Sequence, residues 1–269
     1  MLRNRYSVAL ERSDRVCDCE AARLLAEGEE SKTCFEEARN DIKKDHDIAR
    51  IYTQGIIMFK VYVAVLGPVG TNCYILINEE SGEAVIIDAA DNADRLLSAV
   101  EKKGAKLSKL LLTHAHWDHI GAVNDILDKL PSLPVYIGED DIPLMENPSA
   151  NCSAWLAEYP GTVSRDKVTA LKDGEVLDVL GESVKIIEVP GHTAGGICFY
   201  FQDSEILFCG DTLFQGSIGR SDLPTGDEEQ LITNIMEKLM VLPEATKVYP
   251  GHGMATTIGE EKVSNYYLR

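Results

Sequence analysis

The sequence predicts an α/β fold in which two β-sheets pack face to face with helices on their outer surfaces. Three observations predict it. Short apolar, β-branched runs bounded by Gly and Pro recur from residue 59 to the end. Amphipathic stretches fall between groups of these runs, so that strand-rich, helical, strand-rich and helical regions follow one another. The chain has 269 residues, 45% of them hydrophobic, enough to bury a full core without disulfides.

The elements follow in order. Residues 59–66 and 73–78 read as strands around a Gly67-Pro-Val-Gly70 turn, and 84–88 as a short buried strand. Residues 91–103 have helical spacing, with Leu96, Leu97 and Val100 on one face. A strand at 109–113 leads into a helix at 120–130 that Pro131 ends, and 135–137 is a further strand. Residues 140–167, with Pro143, Pro148, Pro160 and Gly161, read as a part-helical excursion over the surface. Strands are expected at 175–180, 183–189, 196–201, 205–209 and 247–249, and helices at 228–241 and 258–267.

Residues 1–57 differ: they are dense in both charges, lack Pro and read as a helical or poorly ordered extension, with helix formers at 20–30 and 36–50. Cys17, Cys19 and Cys34 could form a soft metal site, but no fourth ligand and no CxxC pair accompanies them. The functional domain is expected to span residues 58–269.

Composition narrows the function. A formal net charge of −18 and no long basic cluster disfavour a nucleic-acid partner, whose phosphates require Lys and Arg. No apolar run reaches membrane-spanning length, and no signal peptide opens the sequence. Seven irregularly spaced Cys fit free thiols in a reducing cytoplasm. The expected partner is a small-molecule substrate, with neither nucleic acid nor membrane involved.

Five of the six His concentrate in one kind of setting. Thr113-His-Ala-His-Trp-Asp-His119 follows an apolar strand and precedes a helix. A rigid strand end holds such side chains while their tips meet in open space. His114 and His116, two apart in extended chain, point to one side, and Asp118 and His119 turn toward a second point. One His alone is usually a hydrogen-bonded structural residue. Four such residues in six positions would be costly to bury without a cation. His192 in Pro190-Gly-His-Thr193, Asp211 in Gly210-Asp-Thr-Leu-Phe214 and His252 in Gly251-His-Gly253 each follow a strand as well.

With Gly70-Thr-Asn-Cys-Tyr74 and Gly216-Ser-Ile-Gly-Arg-Ser-Asp222, these stretches resemble the metallo-β-lactamase superfamily over residues 58–269, and within it the short glyoxalase II-like hydrolases. β-Lactamases of the fold lack His after the motif Asp and commonly carry Cys where Asp211 stands here. The resemblance implies a four-layer αββα sandwich. It implies two divalent metal ions, zinc first and iron or manganese as alternatives. His114, His116 and His192 would hold one, Asp118, His119 and His252 the other, and Asp211 would bridge them. Asp118 and Asp211 would thereby be catalytic, in a cytoplasmic, binuclear, metal-dependent thioesterase using a metal-bridged hydroxide. Asp88 is either an acceptor behind a ligand imidazole or a helix cap. Arg220 is either a clamp for substrate carboxylate or the partner of Asp222. Trp117 is expected to pack beneath the motif. Full-length glyoxalase II enzymes grip glutathione with a C-terminal helical domain. The 17 residues after His252 leave no room for one, so weak glutathione binding is expected. The competing reading is a one-iron persulfide dioxygenase of the same fold, using His114, His192 and Asp211.

Overall fold

The computed structural model describes residues 59–157 and 161–269. The readings made for residues 1–57, including the Cys17, Cys19 and Cys34 site, lie outside the described residues. The first sheet runs in the order β1 (Lys60–Leu66), β2 (Thr71–Asn78), β3 (Glu83–Ile87), β4 (Lys106–Leu111), β5 (Val135–Gly138) and β6 (Thr169–Leu171). Pairing is antiparallel from β1 to β3 and parallel from β3 to β6.

The second sheet is built from β7 (Val176–Val179), β8 (Glu182–Glu188), β9 (Ile197–Phe201) and β10 (Ile206–Gly210). After the small β11 (Leu213–Phe214) and β12 (Ser217–Ile218) hairpin, β13 (Lys247–Pro250) joins β10 in parallel and β14 (Thr256–Thr257) closes the edge.

Alternation along the strands separates three apolar cores. Tyr74, Leu76, Val85 and Ile87 of the first sheet meet Ile186, Phe199, Phe201 and Phe208 of the second. The opposite face of β2 and β3, through Ile75, Ile77 and Ile86, packs on the helices α1 (Ala93–Lys102), α2 (Trp117–Ile120) and α3 (Val123–Lys129), by way of Leu96, Val100, Ile120 and Ile126. Beyond them lie the short α4 (Ile142–Met145) and α5 (Ser153–Leu156). The outer face of the second sheet, through Cys198, Leu207 and Val248, packs on α6 (Glu228–Asn234) and α7 (Ile258–Ser264). Three cores separate four layers, so the architecture is αββα, as the resemblance implied. Strands covered on both faces lose polar alternation, and β9 and β10 are buried at every residue.

The departures from the sequence reading have local causes. The helix expected at 120–130 is two helices, α2 and α3, with Gly121 at the break. A Cβ at Gly121 would strike the carbonyl of Ala90, so the chain is pressed against its neighbour there. The helix expected at 228–241 ends its α-helical part at Asn234 and widens to a π-turn at Ile235–Leu239. The short strands β6, β11, β12 and β14 were not foreseen, being two or three residues long and defined by their partners. Cys73, Cys152, Cys198 and Cys209 are free thiols, all buried. Among the described residues no helix is long and apolar enough to cross a membrane.

Candidate metal centre

The proposed ligands sit just beyond the C-terminal ends of four strands. His114 and His116 follow β4, His192 follows β8, Asp211 follows β10 and His252 follows β13. Since β10 and β13 are parallel, and β8 runs the same way across β9, the last three arrive at one edge. Ile197 N–H donates to the Thr113 carbonyl (2.9 Å) and Asn72 N–H to the Gly251 carbonyl (2.7 Å), which ties the two sheets together at this edge.

All seven groups converge. His116 Nδ1 lies 2.9 Å from His192 Nε2, which lies 3.3 Å from His114 Nε2. Asp118 Oδ2 lies 3.2 Å from His252 Nε2 and 3.5 Å from His119 Nε2. Asp211 stands between the two groups, with Oδ1 3.4 Å from His119 Nε2 and Oδ2 3.4 Å from His252 Nε2 and 3.7 Å from His192 Nε2. The triads His114–His116–His192 and Asp118–His119–His252 each bring their donor atoms within 4.8 Å of one another, and so does His114–His119–Asp211.

Hydrogen bonds behind the rings select which nitrogen faces inward. Asp88 accepts the Thr113 N–H (2.8 Å), the Thr113 hydroxyl (2.8 Å) and the His119 Nδ1–H (2.8 Å). The Thr113 oxygen, already donating, accepts from His114 Nδ1 at 3.1 Å. His192 donates Nδ1–H to the Arg220 carbonyl (2.6 Å). Each ring therefore turns Nε2 toward the centre. Of the two readings of Asp88, the structure realises the acceptor. The helix cap is Asn92, whose side chain accepts from Arg95 N–H.

The electrostatics divide the site. Burial, with the neighbouring imidazoles, holds His114 well below its ordinary value. Burial and His192 push His116 down to about 3, and burial lowers His192. These three are neutral, the form a ligand needs. On the other side burial pulls His119 down, but Asp118, Asp211 and Asp88 outweigh it and raise it well above its usual value. His252 rises to about 9 against burial, through Asp118 and Asp211. Asp118, despite burial, falls to about 2 beside His119, His252 and Thr71. Asp211, also against burial, is held well below the carboxylate range by His119, His252 and His192.

The donor set fits a pair of cations. His114 and His192 aim unprotonated Nε2 atoms at each other across 3.3 Å, an unfavourable contact that a cation among them would relieve. His116 Nε2, His119 Nε2 and Asp211 Oδ1 are buried without a hydrogen-bond partner. Gly251 makes room for the centre: a Cβ there would overlap Asp211 Oδ1 and crowd His119 Cε1. Gly251→Ala is accordingly expected to displace Asp211 and lower metal content, measured by elemental analysis. Full retention of metal would show that the loop can shift to accommodate the methyl group.

The remaining site residues fall as follows. Arg220 forms a bidentate ion pair with Asp222 (2.7 and 2.8 Å) on an exposed loop, and its carbonyl serves His192. Trp117 is half-buried and lines a small cleft with Asn124, Ser153 and Val163. Sequence reasoning passed over Thr71, whose hydroxyl donates to Asp118 Oδ2 (2.8 Å). It also passed over Asn72, whose amide donates to the Pro250 and Gly253 carbonyls on either side of His252 (3.0 Å each). The signal was present in the Thr71–Tyr74 stretch, which carried the resemblance without a role. Asp141, buried and accepting three hydrogen bonds, was missed entirely.

Comparison with known proteins agrees with this geometry. The profile of the Metallo-beta-lactamase superfamily matches residues 66–252. A probable metallo-hydrolase of Bacillus subtilis, YqgX, is 35% identical over 76% of this chain and 94% of its own. The hydroxyacylglutathione hydrolase GloC of Haemophilus influenzae is 36% identical over 73% of this chain and 92% of its own. Among solved structures, the BLEG-1 B3 metallo-beta-lactamase superposes with a TM-score of 0.73 at 38% identity, covering 78% of this chain and 99% of that one. TTHA1623 in a di-iron-bound form gives 0.69 at 36% identity, covering 77% and 100%. The fold, the converging His and Asp groups and the matched span lead to one conclusion: the chain belongs to the metallo-β-lactamase superfamily, as a metal-dependent hydrolase.

Proposed function

We propose that this hydrolase cleaves a small thioester, in the manner of a hydroxyacylglutathione hydrolase, at a centre holding two divalent cations. The observation that carries the reading is the doubled donor set, with Asp211 facing both halves. His114, His116 and His192 would hold one cation, Asp118, His119 and His252 the other, with zinc, iron and manganese all suited to imidazole and carboxylate donors. When bound, such a pair lowers the pKa of water toward neutrality and polarises a carbonyl oxygen.

The chain's own residues supply position and access. His114, His116 and His119 are sealed in, whereas His252 is partly exposed and marks the open side from which an acyl group approaches. The Phe214 ring, 6.3 Å from the His252 ring, gives that side an apolar wall. Asp118, held by Thr71 and ionised at neutral pH, orients a water by accepting its hydrogen rather than by removing it. A thioester suits the site because a thiol, with an ordinary pKa of about 8.5, departs as thiolate with little help from a proton donor. The name of the GloC relative supports this substrate class, and that of BLEG-1 makes a β-lactam the second acyl candidate.

The test is anaerobic thiol release from S-lactoylglutathione by protein loaded with zinc, iron or manganese, beside a chromogenic β-lactam. Thiol release without oxygen is expected. Turnover of the β-lactam alone would reassign the substrate. Oxygen uptake on glutathione persulfide by iron-loaded protein, with no thioester cleavage under any metal, would replace hydrolysis with persulfide dioxygenation.

A further inference from the structure

We propose that Asp141 is the positioning residue of the three-imidazole half of the centre, latching the loop that carries His114 and His116 to the loop that carries His192. The inference rests on the two-cation reading above. Asp141 is fully buried at the end of the turn Glu139–Asp141, and it touches none of the proposed ligands through its carboxylate. Its Oδ2 accepts the N–H of Ala115 at 2.8 Å, the residue between His114 and His116. The same oxygen accepts the hydroxyl of Thr193 at 2.9 Å, next to His192, and Oδ1 accepts the N–H of Gly195 at 2.7 Å. One carboxylate therefore spans two loops whose sequence positions are some eighty residues apart, as His116 and His192 themselves are.

The packing around it has no slack. A Cβ on Gly195 would strike the backbone of Asp140 and Asp141, and one on Gly138 would strike the Gly195 carbonyl. The His192 loop is thus seated backbone to backbone on the segment that presents Asp141. Tying the loops aligns His116 Nδ1, His192 Nε2 and His114 Nε2 as a set.

A carboxylate is an unfavourable choice for the fold alone. All three of its donors are neutral groups, and burial raises its carboxyl to about 6 against the donors that lower it. Its folded value lies above the unfolded one, so its contribution to stability is present at low pH and lost as pH rises through about 6. The compensating gain is geometric: two oxygens satisfy three donors from two loops, and no amide can, because its NH₂ would confront an N–H.

The other half of the centre has different ties. Asp118 is held by Thr71 and the His252 loop by Asn72, whereas Asp88 serves one ring in each half, His119 directly and His114 through Thr113. The two halves should therefore loosen separately. Cobalt(II) reports this without any turnover, through equilibrium dialysis and visible absorption of the full chain. Asp141→Asn should weaken one of two cobalt equivalents by about 10–100-fold and leave the other in place. Thr193→Val, which removes one donor and keeps the shape, should weaken the same equivalent by less. Asn72→Ala should weaken the other equivalent, and the Asp141→Asn/Asn72→Ala double variant both. The melting temperature of the metal-free variants separates positioning from folding. Parallel loss of both equivalents in Asp141→Asn, in step with melting temperature, overturns the assignment. So does unchanged cobalt binding in Thr193→Val, which keeps the question answerable should Asp141→Asn fail to fold. Wild-type protein that takes up fewer than two equivalents instead overturns the two-cation reading, and this inference with it.

Discussion

Asp211→Ala is expected to strip both cations and to cut turnover by roughly 10²–10⁴-fold, the equivalent of about 3–5 kcal/mol for breaking a buried charge pair. Asp211 faces His119, His252 and His192 within 3.4–3.7 Å, so its loss removes the one carboxylate common to both halves. His119 is raised by Asp118, Asp211 and Asp88, and without Asp211 it loses part of the field that attracts a cation beside it. His119→Ala should differ in kind. It removes one donor of the Asp118–His119–His252 triad and leaves His114–His116–His192 whole. Elemental analysis of the two purified variants, with turnover at saturating substrate, checks the contrast. Equal and small effects in both would contradict a shared, bridging Asp211.

The second large effect is expected at Asp88, which touches no cation in the proposed arrangement. Asp88→Asn preserves volume but exchanges one acceptor oxygen for a donor. It must then present NH₂ either to the Thr113 N–H or to the pair formed by the Thr113 hydroxyl and His119 Nδ1. Leaving one buried donor unpaired costs about 1–3 kcal/mol, and for a domain of this size each kcal/mol lowers Tm by about 2–4 °C. The larger consequence lies in the rings. With the NH₂ turned to the second pair, which spares the rigid backbone N–H, His119 and, through Thr113, His114 lose the acceptors that fix their tautomers, one ring from each triad. Metal affinity should fall by about 10–100-fold at both positions. Calorimetric melting and competition against a chromogenic chelator measure the two effects separately. A Tm shift with unchanged affinity would reduce Asp88 to a structural residue.

The legibility of this site in the sequence followed from how its residues are spaced. His114, His116, Asp118 and His119 announce themselves because they occupy one strand end. His192, Asp211 and His252 were readable because each follows an apolar run and sits beside Gly, for a reason that Gly251 makes physical. Asp141 was not readable: in Glu139-Asp-Asp141 it looks like part of a solvated acidic run, and only the tertiary approach of Gly195 distinguishes it from its neighbours. Asp88 was left between two roles because its partners, Thr113 and His119, lie more than twenty residues away. Arg220 is similarly ambiguous in sequence, because its bidentate pairing with Asp222 depends on how the loop folds. The four layers were legible from the alternation of strand and helix, whereas β6 and β14 depend on pairing with β5 and β13 and have no signature of their own.

The unequal sealing of the two triads bears on how the protein acquires its metal. His114 and His116 expose 2% and 3% of their surface, while the His252 side chain exposes 28%. A cation among the three imidazoles would be walled off from solvent by these buried rings. One beside His252 would lie nearer solvent, although His119 on its other side is fully buried. Under the two-cation proposal, exchange would therefore run at two speeds. The inner position, once filled, would keep whichever ion was at hand while the loops were closing, and the outer one would keep pace with the surrounding solution. The metal recovered from a purified sample would then be part chemistry and part history: the inner ion records the medium in which the chain folded, and the outer ion the buffer in which it was last washed.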